Sequence, residues 1–183
     1  MSTRHEGFGC LAAFILTIPL ANWMIGNFGS VCIPNGPCLI SVGFGLDAPS
    51  GVLMIGLALV LRDLVQRRLG KNWTIGAIAV GTIASAFVAP PTLVMASTVA
   101  FLFSELADFA VYTPLQKKRL ITAVLASSFV GLMVDSVLFL YLAFGSLDFM
   151  WGQVVGKSWM VLIAIPVIWW IRERDKRMNF EPA

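Results

Sequence analysis

Charge is scarce in this sequence. Asp, Glu, Lys and Arg make up 13% of its 183 residues, about half the share found in an average soluble domain. That excludes a chain wetted on all sides. Histidine occurs once, as His5, and cysteine three times. Neither recurs at the spacing of a metal site, so no metal and no other cofactor is expected. There is no glycine-rich phosphate loop, which excludes ATP hydrolysis by that route. No nucleophile stands beside a base in a readable pairing, so the chain is not expected to be an enzyme. Internal repeats and low-complexity stretches are also absent.

What the sequence has is apolar length. Hydrophobic residues make up 58% of it, in runs near twenty residues that suffice to cross about 30 Å of hydrocarbon. Six spans fit one transmembrane domain over residues 1–183: 8–28, 49–66, 73–89, 92–113, 120–144 and 150–171. The expected class is an all-α integral membrane protein. The first run is longer than the apolar core of a signal peptide and reads as an uncleaved span. Asp47 and Asp148 stand where helix caps for spans 2 and 6 are expected. Pro90-Pro91 makes a turn, and Tyr112-Thr-Pro114 is expected to end span 4.

Twelve of the thirteen Lys and Arg residues fall on one side of this arrangement. They lie before span 1, at the 2–3 and 4–5 junctions, and after span 6. Basic loops stay inside, so both termini are placed in the cytoplasm, with the chain multi-pass in the cell membrane. The basic loops suit anionic lipid headgroups as partners, not nucleic acid. Residues 29–48 form an outer loop, too short and broken to span. In it Cys32 and Cys38 flank Ile-Pro-Asn-Gly-Pro, a turn signal. They are either a disulfide or two free thiols; spacing does not decide.

The remaining basic residue, Lys157, lies inside span 6. It joins Glu105, Asp108 and Asp135 at membrane depth. Each costs about 2.5–3.5 kcal/mol if it faces lipid at the bilayer centre, roughly 10 kcal/mol for the four. They are therefore expected to face a cavity, a partner or each other. Phe101, Glu105, Asp108 and Tyr112 make one helical stripe; Ser128, Gly131, Asp135 and Phe139 make a second; Gln153, Lys157 and Met160 make a third. Asn22 adds a polar group to span 1. One lysine does not neutralise three carboxylates, so a functional site is expected, against the plainer reading of a closed Lys157–Asp135 pair with Asp108 reaching Lys117 or Arg119. Near the inner end of span 2, Arg62 reads as a snorkelling anchor, and Asp63 either as part of that anchor or as an inner gate of the site.

Taken together these residues resemble the queuosine precursor transporter family, also called the vitamin uptake family. The resemblance runs through Leu61-Arg-Asp-Leu-Val-Gln-Arg-Arg-Leu-Gly70, Ser104-Glu-Leu-Ala-Asp108, Asp135 with Phe139 and Ala143-Phe144, and Lys157 with Pro166. The chain departs from the pattern at Arg67, where the family has a glutamate, and in its long Cys32–Cys38 loop. The resemblance implies a six-helix fold like the substrate-binding subunits of energy-coupling-factor vitamin importers. It implies uptake of a 7-deazaguanine, whose paired N–H donors suit a carboxylate; on the reading of the residues, Glu105 and Asp135 are the principal ligand contacts, with the role of each left open. Lys157 or Asn22 would serve the carbonyl, and Phe101, Phe139, Trp23 or Trp159 would stack. Asp108 and Lys157 would tune charge or move protons. Pro19 and Pro166 are expected bending points. The alternative is a binding subunit that needs energising partner subunits; a homodimer is also compatible.

Overall fold

The protein is described by a computed structural model covering residues 3–34, 36–117 and 119–179. Its helices are α1 (Thr3–Asn27), α2 (Val52–Leu69), α3 (Lys71–Val88), α4 (Val94–Leu115), α5 (Leu120–Phe144) and α6 (Met150–Arg177). Each expected span has its helix. Four of the six, α1, α4, α5 and α6, are long and apolar enough to cross a membrane. The other two fall short by composition. Four charged residues sit on α2, and α3 opens on Lys71-Asn72.

The distribution of side chains is that of a protein dissolved in hydrocarbon. Phe87 is 85% exposed and Trp151 67%, while Arg62, Asp63 and Asp108 are 0% exposed. A soluble fold reverses this order. Apolar surface turned outward and ionisable groups turned inward are what a lipid solvent selects. With the four apolar helices, this makes the chain a multi-pass membrane protein.

Backbone breaks are set locally. Gly70 alone separates α2 from α3, at φ 90°, and Gly145 ends α5 at φ 66°. Both values lie where a side chain would be strained. Several expected boundaries shift. The α4 helix runs through Pro114 to Leu115, and Pro114 sits in its last turn. Asp148 does not cap α6; it accepts a hydrogen bond from Ser146 Oγ at 2.9 Å. Nor does Asp47 cap α2.

The 29–48 stretch departs most from a plain loop. It forms an antiparallel sheet of three strands, β1 (Val31–Cys32), β2 (Cys38–Gly43) and β3 (Leu46–Pro49), in the order β1-β2-β3. Asp47 belongs to β3, opposite Ser41. A turn of three positive-φ residues, Gly43, Phe44 and Gly45, joins β2 to β3. The sheet lies across one end of the bundle. Val42 and Ala48 pack on Val52, with Val155 of α6 against them. Ser50 Oγ donates to Met24 O at 2.7 Å, and Trp159 Nε1 donates to Val42 O at 2.9 Å. The α6 backbone at Gly152 runs directly against Asp47, where a Cβ would meet the Asp47 carbonyl at 2.0 Å.

Cys32 and Cys38 are joined by a disulfide. Closing so short a loop removes little freedom from the unfolded chain, worth about 2 kcal/mol. The double variant Cys32→Ser/Cys38→Ser is expected to lose about that much stability and to stay folded, as read by thermal melting. Unfolding on loss of the bond would mean the sheet has no other hold.

The opposite end is basic. Arg67 of α2 donates to Asp175 of α6 (Nε–Oδ2 2.8 Å), Arg68 pairs with Asp175 (2.8 Å) and with Glu6 of α1 (3.3 Å), and Arg174 pairs with Glu6. This clasp brings the start of α1 to the ends of α2 and α6. Arg119 to Thr122, at the start of α5, share a surface recess with Arg172 of α6. The basic clusters of the sequence therefore gather at one end. Arg67 and Arg68 are not loop residues awaiting headgroups; they are mostly buried and paired.

Candidate functional site

Two polar centres lie between the basic end and the sheet end, each built from side chains of several helices.

The first is a cavity under the β3–α2 junction. Asn22 and Ile25 of α1 wall it, with Ile55 of α2, Phe101 of α4, Asp135 and Phe139 of α5, and Gln153 and Lys157 of α6. The centre of a water molecule can reach about 50 Å³ of the space between these walls. At roughly 10–15 Å³ per water, that is room for a few waters. A fused ring needs the walls to part.

Lys157 is 1% exposed. Its Nζ donates to Asp135 Oδ2 at 2.6 Å, to Ser136 Oγ at 2.7 Å, and to Gln153 Oε1. An ammonium has three donors, and all three are used. Asp135 spends one oxygen on this bond and keeps Oδ1 for another donor. The Gln153 amide nitrogen and the Asn22 side-chain oxygen likewise have no partner among the described residues, while the Asn22 amide nitrogen donates to Ile18 O at 3.0 Å. The cavity thus carries a neutralised ion pair, two acceptor oxygens and one amide donor beside the rings of Phe101 and Phe139.

The second centre lies about one helical turn away, toward the basic end. Arg62 of α2 is its hub and is fully buried. Its Nη1 meets Asp63 Oδ1 at 2.9 Å, its Nε meets Glu105 Oε2 at 3.1 Å, and its Nη2 meets Asp108 Oδ1. The ring of Tyr112 lies under the guanidinium, 5.8 Å from centroid to carbon. Ser127 of α5 donates to Asp63 Oδ2 at 3.0 Å, and Gln66 Nε2 donates to Thr113 Oγ1 at 2.9 Å. Effective desolvation costs several kcal/mol for each buried ion, so one guanidinium serving three carboxylates is a demanding arrangement.

Close packing sets which way these groups turn. A Cβ at Gly131 of α5 would stand 3.0 Å from Asp108 Cβ and 2.8 Å from Leu59 Cδ2. A Cβ at Gly56 of α2 would stand 2.7 Å from the Lys157 carbonyl. Both glycines let helices approach until the charged side chains meet.

The expected site residues therefore divide. Asp135, Lys157, Asn22, Phe101 and Phe139 all line the cavity. Glu105, Asp108 and Asp63 gather on Arg62 and are not part of that wall. Glu105 and Asp135 lie near enough to feel each other's charge, but they serve different partners. Asp108 does not reach toward Lys117 or Arg119. Trp23 and Trp159 are 55% and 41% exposed and face away from the cavity.

Arg62 is the residue that sequence reasoning misplaced, as an interfacial anchor. Adjacent helix side chains diverge, yet arginine is long enough to fold back on Asp63. A signal was present. Leu59, Arg62, Asp63 and Gln66 share one face of α2 at helical spacing, and all four are buried. Ser127, Ser136 and Gln153 were likewise passed over as partners of the charged groups.

Residues 83–171 match the family model described as "Putative vitamin uptake transporter". No curated protein and no solved structure matches the chain. The matched stretch holds α4, α5 and most of α6.

Proposed function

We propose, from this likeness to a vitamin uptake family over residues 83–171, that the chain carries a small purine-like heterocycle, a 7-deazaguanine precursor of queuosine, inward through the cell membrane, with the basic end in the cytoplasm. The observation that supports this reading most is the cavity's chemistry. Asp135 Oδ1 suits one N–H donor of a guanine-like edge, and the Asn22 side-chain oxygen suits a second. The Gln153 amide nitrogen suits the ring carbonyl, and Phe101 and Phe139 suit the ring faces. The Lys157–Asp135 pair is already balanced, which favours a ligand with little net charge. Glu105, which sequence reasoning placed beside the base, acts in this proposal through Arg62.

Asp135→Asn is expected to cut uptake of labelled 7-deazaguanine in cells unable to make it, with expression maintained. A hydrogen bond to a charged group is worth about 1.5–3 kcal/mol, or roughly ten- to a hundredfold in affinity. Phe139→Leu leaves the ion pair intact and should weaken uptake by raising KM. Wild-type uptake in both variants would remove the cavity from the pathway. Uptake by the purified chain in liposomes distinguishes a stand-alone carrier from a subunit that needs an energising partner.

A further inference from the structure

The Arg62 centre is not accounted for by ligand binding. We propose that it is a proton site, loaded and emptied as the protein transports, with Asp108 as the carboxylate that carries the proton. This rests on the transport reading above and adds its energy source.

Three observations support it. First, the formal charges do not balance. Asp63, Glu105 and Asp108 surround one guanidinium, and all four side chains are at most 2% exposed. Fully ionised, the centre would hold two negative charges in excess. Carboxylates crowded into one dry site do not all ionise, so at least one keeps a proton.

Second, Asp108 has an oxygen to spare. Its Oδ1 faces Arg62 Nη2, whereas its Oδ2 is buried without a well-formed hydrogen bond, and Asp63 and the Ser127 hydroxyl stand beside the carboxyl. That oxygen packs closely against Gly131 of α5: a Cβ there would be 3.2 Å away. A buried carboxylate oxygen without a donor is costly; protonated, it is an ordinary hydroxyl. Ser128 Oγ, on the same helix, is buried and unpartnered as well.

Third, the neighbours do not supply the missing charge. Facing the centre are Asp63 and Arg62 from α2, Glu105 and Tyr112 from α4, and Ser127 and Ser128 from α5. Arg67 of α2 is held by Asp175, and Lys157 of α6 by Asp135. Among the described residues no three Asp, Glu, His or Cys side chains are placed to hold a metal ion. A proton on one carboxyl supplies the compensating charge in this proposal. The centre lies about one helical turn from the cavity, since Phe101, which lines the cavity, comes four residues before Glu105 on α4.

The test has two arms. The first needs no ligand. Infrared difference spectra of the purified chain during a pH jump should show the carbonyl stretch of a buried protonated carboxyl. Asp108→Asn should remove it, and Glu105→Gln should shift it without removing it. No such band in the wild type, or an unchanged band in Asp108→Asn, overturns the proposal. The second arm uses proteoliposomes with a pH dye inside and labelled 7-deazaguanine outside. Entry of label should acidify the lumen, and an inward proton gradient should raise accumulation by about tenfold, the effect of about 1.4 kcal/mol of driving force. Label accumulating with no acidification overturns the coupling. Failure to move the label at all sinks the transport reading instead, and leaves the infrared arm to decide the proton site.

Discussion

Arg62→Met is expected to be the most damaging single change in the protein. It removes the cation that Asp63, Glu105 and Asp108 share, at a position that is 0% exposed. Breaking a buried ion pair costs about 3–5 kcal/mol because the partner is left uncompensated. Here three partners are left. The chain should express poorly, and what survives should melt on the order of ten degrees lower. Arg62→Lys should rescue little, because one ammonium on a single stem does not reproduce a fork that reaches three carboxylates from three nitrogens. Arg62→Met combined with Asp108→Asn and Glu105→Gln should recover part of the loss, since the charges go together. A wild-type melting curve for Arg62→Met would show that the hub does not hold the bundle.

Lys157→Met should come second. It strands Asp135 in the cavity wall and unties Ser136 and Gln153. Asp135 is 6% exposed and open to the few waters of the cavity, so the loss should fall toward the lower end, about 3 kcal/mol. Lys157→Met/Asp135→Leu offers the sharper comparison. Replacing both partners of a buried pair by apolar groups is often neutral, so stability should return. Uptake should not return, because the acceptor oxygen is gone. A double variant that still carries 7-deazaguanine would make the pair a structural feature and nothing more.

The helices were legible because their cause is local. An apolar run near twenty residues long announces itself, and Pro90-Pro91 marks the break between α3 and α4. The three stripes were legible for the same reason: Phe101, Glu105, Asp108 and Tyr112 share a face by spacing alone, and all are buried. What spacing does not give is which neighbour a face meets. Glu105 and Asp135 were set at similar depth, and from that a shared pocket followed. In the fold Gly131 draws α5 onto Asp108, and Gly56 draws α2 onto Lys157, so the two carboxylates fall to different cations. Arg62 was harder still. Its place near the end of an apolar run matches a snorkelling anchor, and only the approach of α4 and α5 turns it inward. The sheet was hidden by brevity. Its strands are two, six and four residues long, and the longest carries no clean alternation of burial.

The clasp at the basic end bears on ionic strength. Arg67, Arg68 and Asp175 are at most 7% exposed, whereas Glu6 and Arg174 are 22% and 27% exposed. Dissolved salt screens charges that water can reach and leaves enclosed ones almost untouched. Counter-ions on that side thus act on the latch through its Glu6 limb alone, slackening the first turn of α1 while the seam between α2 and α6 stays shut.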